Sequence, residues 1–186
     1  MKKSIIFIAM ATLCLFFKGY GQGSANKDIT PLSIGEKVPE LVFKKIFNGT
    51  KQPISLSSLK GKGVILDFWG TWCSACIKRF PHMKDIQDRY GDHIQVILVG
   101  DSERDTEVKI VQFLDKRVAD NQEIILPVAF RDTLTKKLFP HVMYPHYVWI
   151  GADRRVKAIT RAEQVTDENV ERFIAGLPLY LPKKEL

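Results

Sequence analysis

Short runs of apolar residues divide the chain into predicted strands. Residues 64–69, 95–99 and 126–130 are almost continuously apolar, which is typical of strands buried on both faces of a sheet. Residues 147–150 and 156–160 flank a Gly-Ala-Asp-Arg turn and are predicted to form an antiparallel hairpin. The segments between the first three strands are long enough for helices that cross over from one parallel strand to the next.

Apolar residues at helical spacing predict the helices. The longest covers residues 74–90. The Ser-Glu-Arg-Asp sequence at residues 102–105 fits a capping box and predicts that the next helix begins there. A short helix is predicted over residues 133–139, and Thr166 is predicted to cap a last helix that ends near Gly176. Strands that alternate with helices and end in a hairpin predict an α/β domain, parallel in its centre with an antiparallel edge.

A smaller hairpin is predicted before the first buried strand. Asn48-Gly49 is a strong turn signal, with apolar residues in 41–47 before it and residues 53–55 after it. Residues 57–60 are predicted to form a short helical turn that Gly61 ends. The α/β domain therefore carries an N-terminal extension.

The first residues have the pattern of a secretory signal peptide. Lys2 and Lys3 precede an apolar run over residues 5–17, which is too short to span a bilayer. Small residues around Gly21 predict cleavage there, so residues 1–21 are the predicted signal peptide of a protein exported to the periplasm. The alternative is that the same residues are retained as a membrane anchor. Cys14 lies inside the run and follows Leu13, which disfavours its lipidation.

The remaining chain is interpreted as one domain. Residues 22–37 are small and polar and are predicted to be a tether, residues 38–180 the domain, and residues 181–186 a solvated tail. The formal net charge of +7 falls to about +4 without the signal peptide. Since there is no arginine-rich helix or basic run interleaved with aromatic residues, we expect no nucleic-acid partner.

Two cysteines stay in the exported chain, because Cys14 leaves with the signal peptide. Disulfides persist in the oxidising compartment that such a protein reaches. A bridge between Cys73 and Cys76 closes almost no chain, so it adds little to stability. The pair is therefore expected to carry chemistry rather than to staple the fold.

The predicted elements give the two cysteines different roles. Cys73 lies where a strand gives way to a helix, and unpaired N–H groups and the helix dipole favour a thiolate there. Cys76 lies three residues later on the same helix face and is expected to be less exposed. Cys73 is the predicted nucleophile, and Cys76 is the predicted resolving cysteine.

Asp67 is a third candidate for chemistry, because it interrupts an apolar strand six residues before Cys73. A buried carboxylate has a raised pKa. From this position Asp67 is expected to lie beneath the pair and to relay a proton to or from Cys76. The alternative is a structural aspartate tied to a lysine or to a surface loop.

Residues 64–76, Val-Ile-Leu-Asp-Phe-Trp-Gly-Thr-Trp-Cys-Ser-Ala-Cys, resemble the active-site strand and turn of thioredoxin-fold proteins. They are most similar to the exported thiol–disulfide oxidoreductases of the TlpA/ResA type. The similarity extends from about residue 34 to residue 176. It implies a thioredoxin-like fold with a central mixed sheet flanked by helices, an N-terminal β-hairpin extension and a strand–helix insertion.

The resemblance also implies functional roles. It makes Cys73–Cys76 a redox-active disulfide, Asp67 the buried acid and Pro145 a cis-proline beside the disulfide. Trp72 and Tyr144 are predicted to line the surface on which a client docks together with Pro145. The implied partners are disulfide-containing exported proteins, apocytochrome among them, and a membrane electron donor. We expect no cofactor and a monomeric protein.

The dipeptide between the cysteines bears on the direction of electron flow. Ser74-Ala75 lacks the proline that is common in the family, so a redox potential is not transferred from relatives. Neither residue brings a charge, and the helix N-terminus alone is expected to lower the pKa of Cys73 to about 7. The protein is therefore predicted to be a reductase.

Other functions remain as alternatives. A copper-binding chaperone would use Cys73, Cys76 and a distal histidine, for which His146 is the candidate. A zinc site needs about four ligands, and His141 and His146 are separated by the presumed cis-proline turn. A peroxiredoxin-like peroxidase would have a threonine three residues before its cysteine, whereas Thr71 is two before Cys73.

Overall fold

The computed structural model describes residues 29–48, 51–130, 133–179 and 181. The predicted signal peptide, Cys14, the first part of the predicted tether and residues 182–186 lie outside the described residues. None of the helices in these described ranges has both the length and the apolar character needed to cross a bilayer.

The described residues form a five-stranded mixed sheet with the strand order β5-β4-β3-β6-β7. Its strands are β3 Gly63–Trp69, β4 Ile94–Gly100, β5 Val128–Phe130, β6 His146–Ile150 and β7 Val156–Thr160. β3 pairs in parallel with β4, and β4 with β5. β6 pairs antiparallel with both β3 and β7. The predicted parallel centre with an antiparallel edge is confirmed, and β3 is the central strand.

Helices connect the strands at the predicted places. They are α1 Ser74–Tyr90, α2 Glu107–Ala119, α3 Thr133–Leu138 and α4 Asp167–Ile174, with short 3-10 helices at Leu56–Leu59 and Ala162–Gln164. The predicted start of α2 is wrong. Thr106, not Ser102, caps it, and the Thr106 hydroxyl accepts a hydrogen bond from the Lys109 N–H. The residues interpreted as a capping box remain a loop between β4 and α2.

The N-terminal extension forms a second, small sheet. β1 Val42–Phe43 pairs antiparallel with β2 Ile54–Ser55, as predicted, although Gly49 of the predicted turn lies outside the described residues. Ile46 instead bridges to Ala129 on β5, so the extension covers an edge of the main sheet. The end of the predicted tether is also attached, because the Leu32 N–H donates to the Leu138 carbonyl and the Gly35 N–H to the Val156 carbonyl.

Alternation along β3 divides its side chains between two cores. Ile65 and Trp69 belong to the core under α1, which also contains Cys73 and Cys76. Val64, Leu66 and Phe68 belong to the core on the opposite face, with the N-terminal extension. Asp67 has the parity of Ile65 and Trp69. The strand therefore aims its one carboxylate toward the face that carries the cysteines.

Candidate active site

The two cysteines lie at the junction of β3 and α1. The Cys73 N–H donates to the Gly70 carbonyl at 2.9 Å, which closes the turn after β3, and Cys73 is the N-cap residue of α1. Cys73 and Cys76 form a disulfide with their Cα atoms 5.3 Å apart. The strand-to-helix placement predicted from the sequence is confirmed.

The start of α1 distinguishes the two sulfur atoms. The Cys76 N–H donates to the Cys73 sulfur at 3.2 Å, and the first turn of the helix contains no acidic residue. Cys73 keeps 5% of its surface exposed, whereas Cys76 keeps none. Backbone N–H groups at a helix N-terminus stabilise negative charge. This arrangement favours a thiolate on Cys73 once the disulfide is reduced.

Asp67 is fully buried on the α1 side of the sheet. Its partner across the β3–β6 ladder is Tyr147, which is also fully buried. Burial raises the pKa of Asp67 well above its ordinary value, while the nearby Tyr147 hydroxyl and the positive charge of Arg79 lower it in part. A buried carboxyl group with a raised pKa, on the sheet face that carries the cysteines, is suited to proton transfer.

The loop before β6 faces the active-site turn. The Tyr144–Pro145 peptide bond is cis, as the resemblance implied. The Tyr144 ring meets Trp72 edge to face with the ring centroids 5.4 Å apart, and its hydroxyl donates to Asp101 Oδ1 at 2.8 Å. Burial, followed by the charge of Asp101, raises the pKa of the Tyr144 hydroxyl, so it remains a donor. The structure thus brings Trp72 and Tyr144 together.

Three polar residues that the sequence analysis did not assign to the site hold this arrangement. Asp105 accepts hydrogen bonds from the Thr71 N–H at 2.8 Å and from the Thr71 hydroxyl at 2.5 Å. Ser102 accepts one from the Trp72 indole at 2.9 Å. Together with Asp101 they follow directly after β4, the parallel neighbour of β3. Because adjacent parallel strands end at the same edge of a sheet, their position after β4 was the signal that could have identified them.

Gly70 permits the loop to pack this closely. A Cβ atom at Gly70 would lie 2.8 Å from the Trp72 indole nitrogen and 3.0 Å from Asp105 Oδ2. The turn and the loop after β4 are therefore in direct contact, and a side chain at Gly70 would push them apart.

The histidine proposed for the copper alternative lies elsewhere. His146 pairs with Phe68 across the β3–β6 ladder, so its side chain lies on the sheet face opposite to the cysteines. Its ring stacks on His141 with the centroids 4.3 Å apart. Among the described residues, no group of three or more His, Cys, Asp and Glu side chains is arranged to hold a metal ion. The geometry does not support a copper site built from Cys73, Cys76 and His146.

The contacts of Thr71, the residue weighed in the peroxidase alternative, tie it to the loop after β4. Both its N–H and its hydroxyl are bonded to Asp105, in the loop after β4. Its hydroxyl therefore donates toward that loop, which gives the threonine a role in holding the turn.

Comparisons with known proteins identify a family and named relatives. Residues 34–131 match the AhpC/TSA family. The chain is 37% identical over 156 residues to the thiol-disulfide oxidoreductase ResA of Bacillus cereus strain ZK, covering 84% of this chain and 81% of that protein. It is 28% identical over 179 residues to ResA of another Bacillus cereus strain, ATCC 10987, covering 94% and 97% of the two chains.

A solved structure shows the same fold. The thioredoxin domain of a thiol-disulfide oxidoreductase from Bacteroides vulgatus superposes with a TM-score of 0.60, covering 77% of this chain and 99% of that one at 19% identity. The thioredoxin-like fold implied by the sequence is confirmed. The chain belongs to the AhpC/TSA family and, within it, to the thiol-disulfide oxidoreductases similar to ResA.

Proposed function

We propose that this oxidoreductase works as a reductase of disulfides in exported proteins. The observation that carries the proposal is the placement of Cys73 as the N-cap of α1, with its sulfur accepting the Cys76 N–H. Neutral Ser74 and Ala75 add no further charge to stabilise the thiolate. Since strong oxidants of this kind depend on extreme stabilisation of the reduced thiolate, moderate stabilisation supports the reducing direction.

The proposed reaction has two exchange steps. In the first, the Cys73 thiolate attacks one sulfur of the client disulfide, forms a mixed disulfide and releases the other client sulfur as a thiolate. In the second, Cys76 loses its proton, attacks the Cys73 sulfur and releases the second client sulfur. The client gains two electrons, its two thiolates take up protons from the solvent, and the protein ends as the Cys73–Cys76 disulfide.

Asp67 is the proposed proton acceptor in the second step. It lies on the sheet face that carries Cys76, and Cys76 is fully buried, so solvent has little access to its thiol. A buried carboxylate in this position removes the Cys76 proton and can later return one to a departing thiolate.

Trp72, Tyr144 and Pro145 are the proposed docking surface. Trp72 is 45% exposed although Ser102 and Tyr144 hold it in place. Val142 and Met143, directly before Tyr144, are exposed as well. Large, fixed, exposed apolar side chains favour protein binding. A client segment with apolar residues next to its cysteine would fit this surface.

The proposed location and partners follow from the reducing direction. Export by cleavage of residues 1–21, or retention of the same residues as an anchor, would bring the domain to the periplasm. There a reductase is oxidised at each turnover and needs a dithiol donor in the membrane to reduce it again. The proposed clients are disulfide-containing exported proteins, and the proposed working form is a monomer.

The test is catalysed reduction of insulin, a disulfide-bonded exported protein, with dithiothreitol as the electron source. We expect clear acceleration by the wild type. Trp72→Ala should lower kcat/KM for insulin about tenfold, the loss of about 1.4 kcal/mol of docking energy. Its reaction with oxidised glutathione should change little, because a small disulfide does not need the docking surface.

Two control variants make the result specific. Trp72→Phe keeps an apolar ring at the surface, and Val118→Ala removes an exposed apolar side chain on α2. Both should stay close to the wild type. A wild type no faster than dithiothreitol alone would overturn the proposed function. If Trp72→Ala lost as much activity with oxidised glutathione as with insulin, the docking role would be overturned.

A further inference from the structure

Buried polar atoms accumulate around Asp67. Both Asp67 carboxylate oxygens, the Tyr147 hydroxyl and the Arg79 Nε are inaccessible, and none of these four atoms makes a hydrogen bond within the described ranges. Buried polar groups are normally hydrogen-bonded, and leaving one unpaired destabilises the folded state. Buried polar groups of this kind are concentrated at functional sites, which makes this cluster a candidate for one.

The backbone fixes where these side chains lie. Asp67 and Tyr147 are opposite each other in the β3–β6 ladder, and residues paired in this way share one face of the sheet. That face packs against α1, since Tyr147 and Cys76 belong to the same core. Arg79 is on α1 three residues after Cys76, and therefore on the same side of the helix.

Arg79 is half-buried and anchored. Its Nη2 donates to the carbonyls of Ala162 and Val165 at 3.0 Å each, in the segment that follows β7. These bonds hold the Nη2 end of the guanidinium, and the buried Nε has no hydrogen-bond partner within the described ranges. The positive charge is therefore held against the segment that follows β7.

The groups act on one another electrostatically. Tyr147 and Arg79 both lower the pKa of Asp67, against the larger effect of burial. Burial and the charge of Asp67 raise the pKa of the Tyr147 hydroxyl, so it is a neutral donor. A neutral donor and a fixed cation are the two kinds of group that stabilise a carboxylate.

We propose that Tyr147 and Arg79 are positioning residues for Asp67. The Tyr147 hydroxyl orients the carboxylate, and the Arg79 guanidinium balances its charge. The inference rests on the proposed function, because it concerns the step in which Cys76 resolves the mixed disulfide. In that step the Cys76 proton moves to the Asp67 carboxylate, the Cys76–Cys73 bond forms, and the bond between Cys73 and the client sulfur breaks. The client sulfur leaves as a thiolate with its electron pair.

The experiment follows the reduced protein as it reacts with dithiobis-nitrobenzoate. Attack by Cys73 releases one nitrobenzoate thiolate, and attack by Cys76 releases the second. At a reagent concentration that makes the first release fast, the second phase is the slower one and reports the resolving step. Because Asp67 must be ionised to accept the proton, this phase accelerates as pH rises through the pKa of Asp67. Tyr147→Phe and Arg79→Gln each remove a group that lowers this pKa, so we expect the midpoint to move up by about one pH unit or more.

Matched controls lie on the same helix. Tyr90→Phe removes a hydroxyl that donates to Glu171, and Arg89→Gln removes a guanidinium paired with Asp85 and Asp167. Neither should move the midpoint. Arg79→Lys keeps the charge and should restore the wild-type profile. In an Asp67→Asn background, Tyr147→Phe should have no further effect on the profile, because it acts through Asp67.

The outcomes separate the inference from the proposed function. Absence of the second phase in the wild type would remove the function on which the inference rests. A normal second phase with the wild-type midpoint in Tyr147→Phe would overturn the inference alone. Should Arg79→Gln fail to fold, Tyr147→Phe decides the question, since it keeps the ring and its packing.

Discussion

Replacing Cys76 by serine should arrest the reaction at a covalent complex between Cys73 and the client. The remaining thiolate still attacks a client disulfide, because Cys73 keeps its place at the start of α1. Serine does not form the second disulfide, so the complex is not resolved. Catalysed reduction of insulin should fall to the background rate. Electrophoresis without reductant should show a complex that dithiothreitol cleaves, and mass spectrometry should locate the mixed disulfide at Cys73.

The matched variant for this experiment is Cys73→Ser. It keeps one thiol in the same turn, but that thiol is the fully buried one. We expect no covalent complex and no turnover from this variant. If Cys73→Ser trapped clients as well as Cys76→Ser does, the assignment of nucleophile and resolving cysteine would be wrong.

Replacing Asp67 by asparagine should slow the resolving step by about a hundredfold or more, the usual contribution of a positioned acid or base. Asparagine has nearly the same shape but accepts no proton, so the fold and the first exchange step should be little affected. The slower phase with dithiobis-nitrobenzoate measures the effect directly. Unchanged rates across the pH range would make Asp67 a structural residue.

The same variant should change how stability depends on pH. The pKa of Asp67 is raised in the folded protein, so the folded state holds a proton that the unfolded state loses above about pH 4. Stability is fully present below the unfolded pKa and is lost as pH rises to the folded pKa, by about 1.4 kcal/mol per pH unit. The Asp67→Asn variant lacks this loss, so its stability relative to the wild type should increase with pH. Chemical denaturation of the two oxidised proteins at several pH values checks the difference in slope.

Local patterns were sufficient to predict much of the fold. The apolar runs that became β3, β4 and β6 carry a strong signal because a central strand is buried on both faces. The junction of a strand and a helix at Cys73 followed from the same pattern. These features depend on residues close together in the chain, which is why one sequence was enough.

Side-chain contacts between distant segments were harder to predict. Ser102 and Asp105 were interpreted as part of a helix start, but Asp105 instead binds Thr71, 34 residues earlier. The Ser-Glu-Arg-Asp sequence is compatible with a helix start and with a loop. Only the pairing of β3 with β4 brings this loop to the active-site turn. Thr106 has a side chain that is equally suited to capping, and it caps α2 in place of Ser102.

The register between β3 and β6 decides which side chains of β6 face the cysteines, and the sequence does not determine this register. Pairing of Asp67 with Tyr147 and of Phe68 with His146 puts the tyrosine on the cysteine side and the histidine on the other. A shift by one residue would reverse both faces. The copper alternative depended on that unknown register, and so did the identification of Tyr147 as a neighbour of Asp67.

The redox potential of the Cys73–Cys76 couple tests the central claim most directly. Equilibration of the protein with glutathione redox buffers, followed by separation of the reduced and oxidised forms, gives the value. A reductase whose thiolate is stabilised only by the helix N-terminus should have a potential of about −250 mV, between those of thioredoxin and protein disulfide isomerase. A potential near about −120 mV, the value of a strong oxidant, would show that the protein introduces disulfides and would contradict the account.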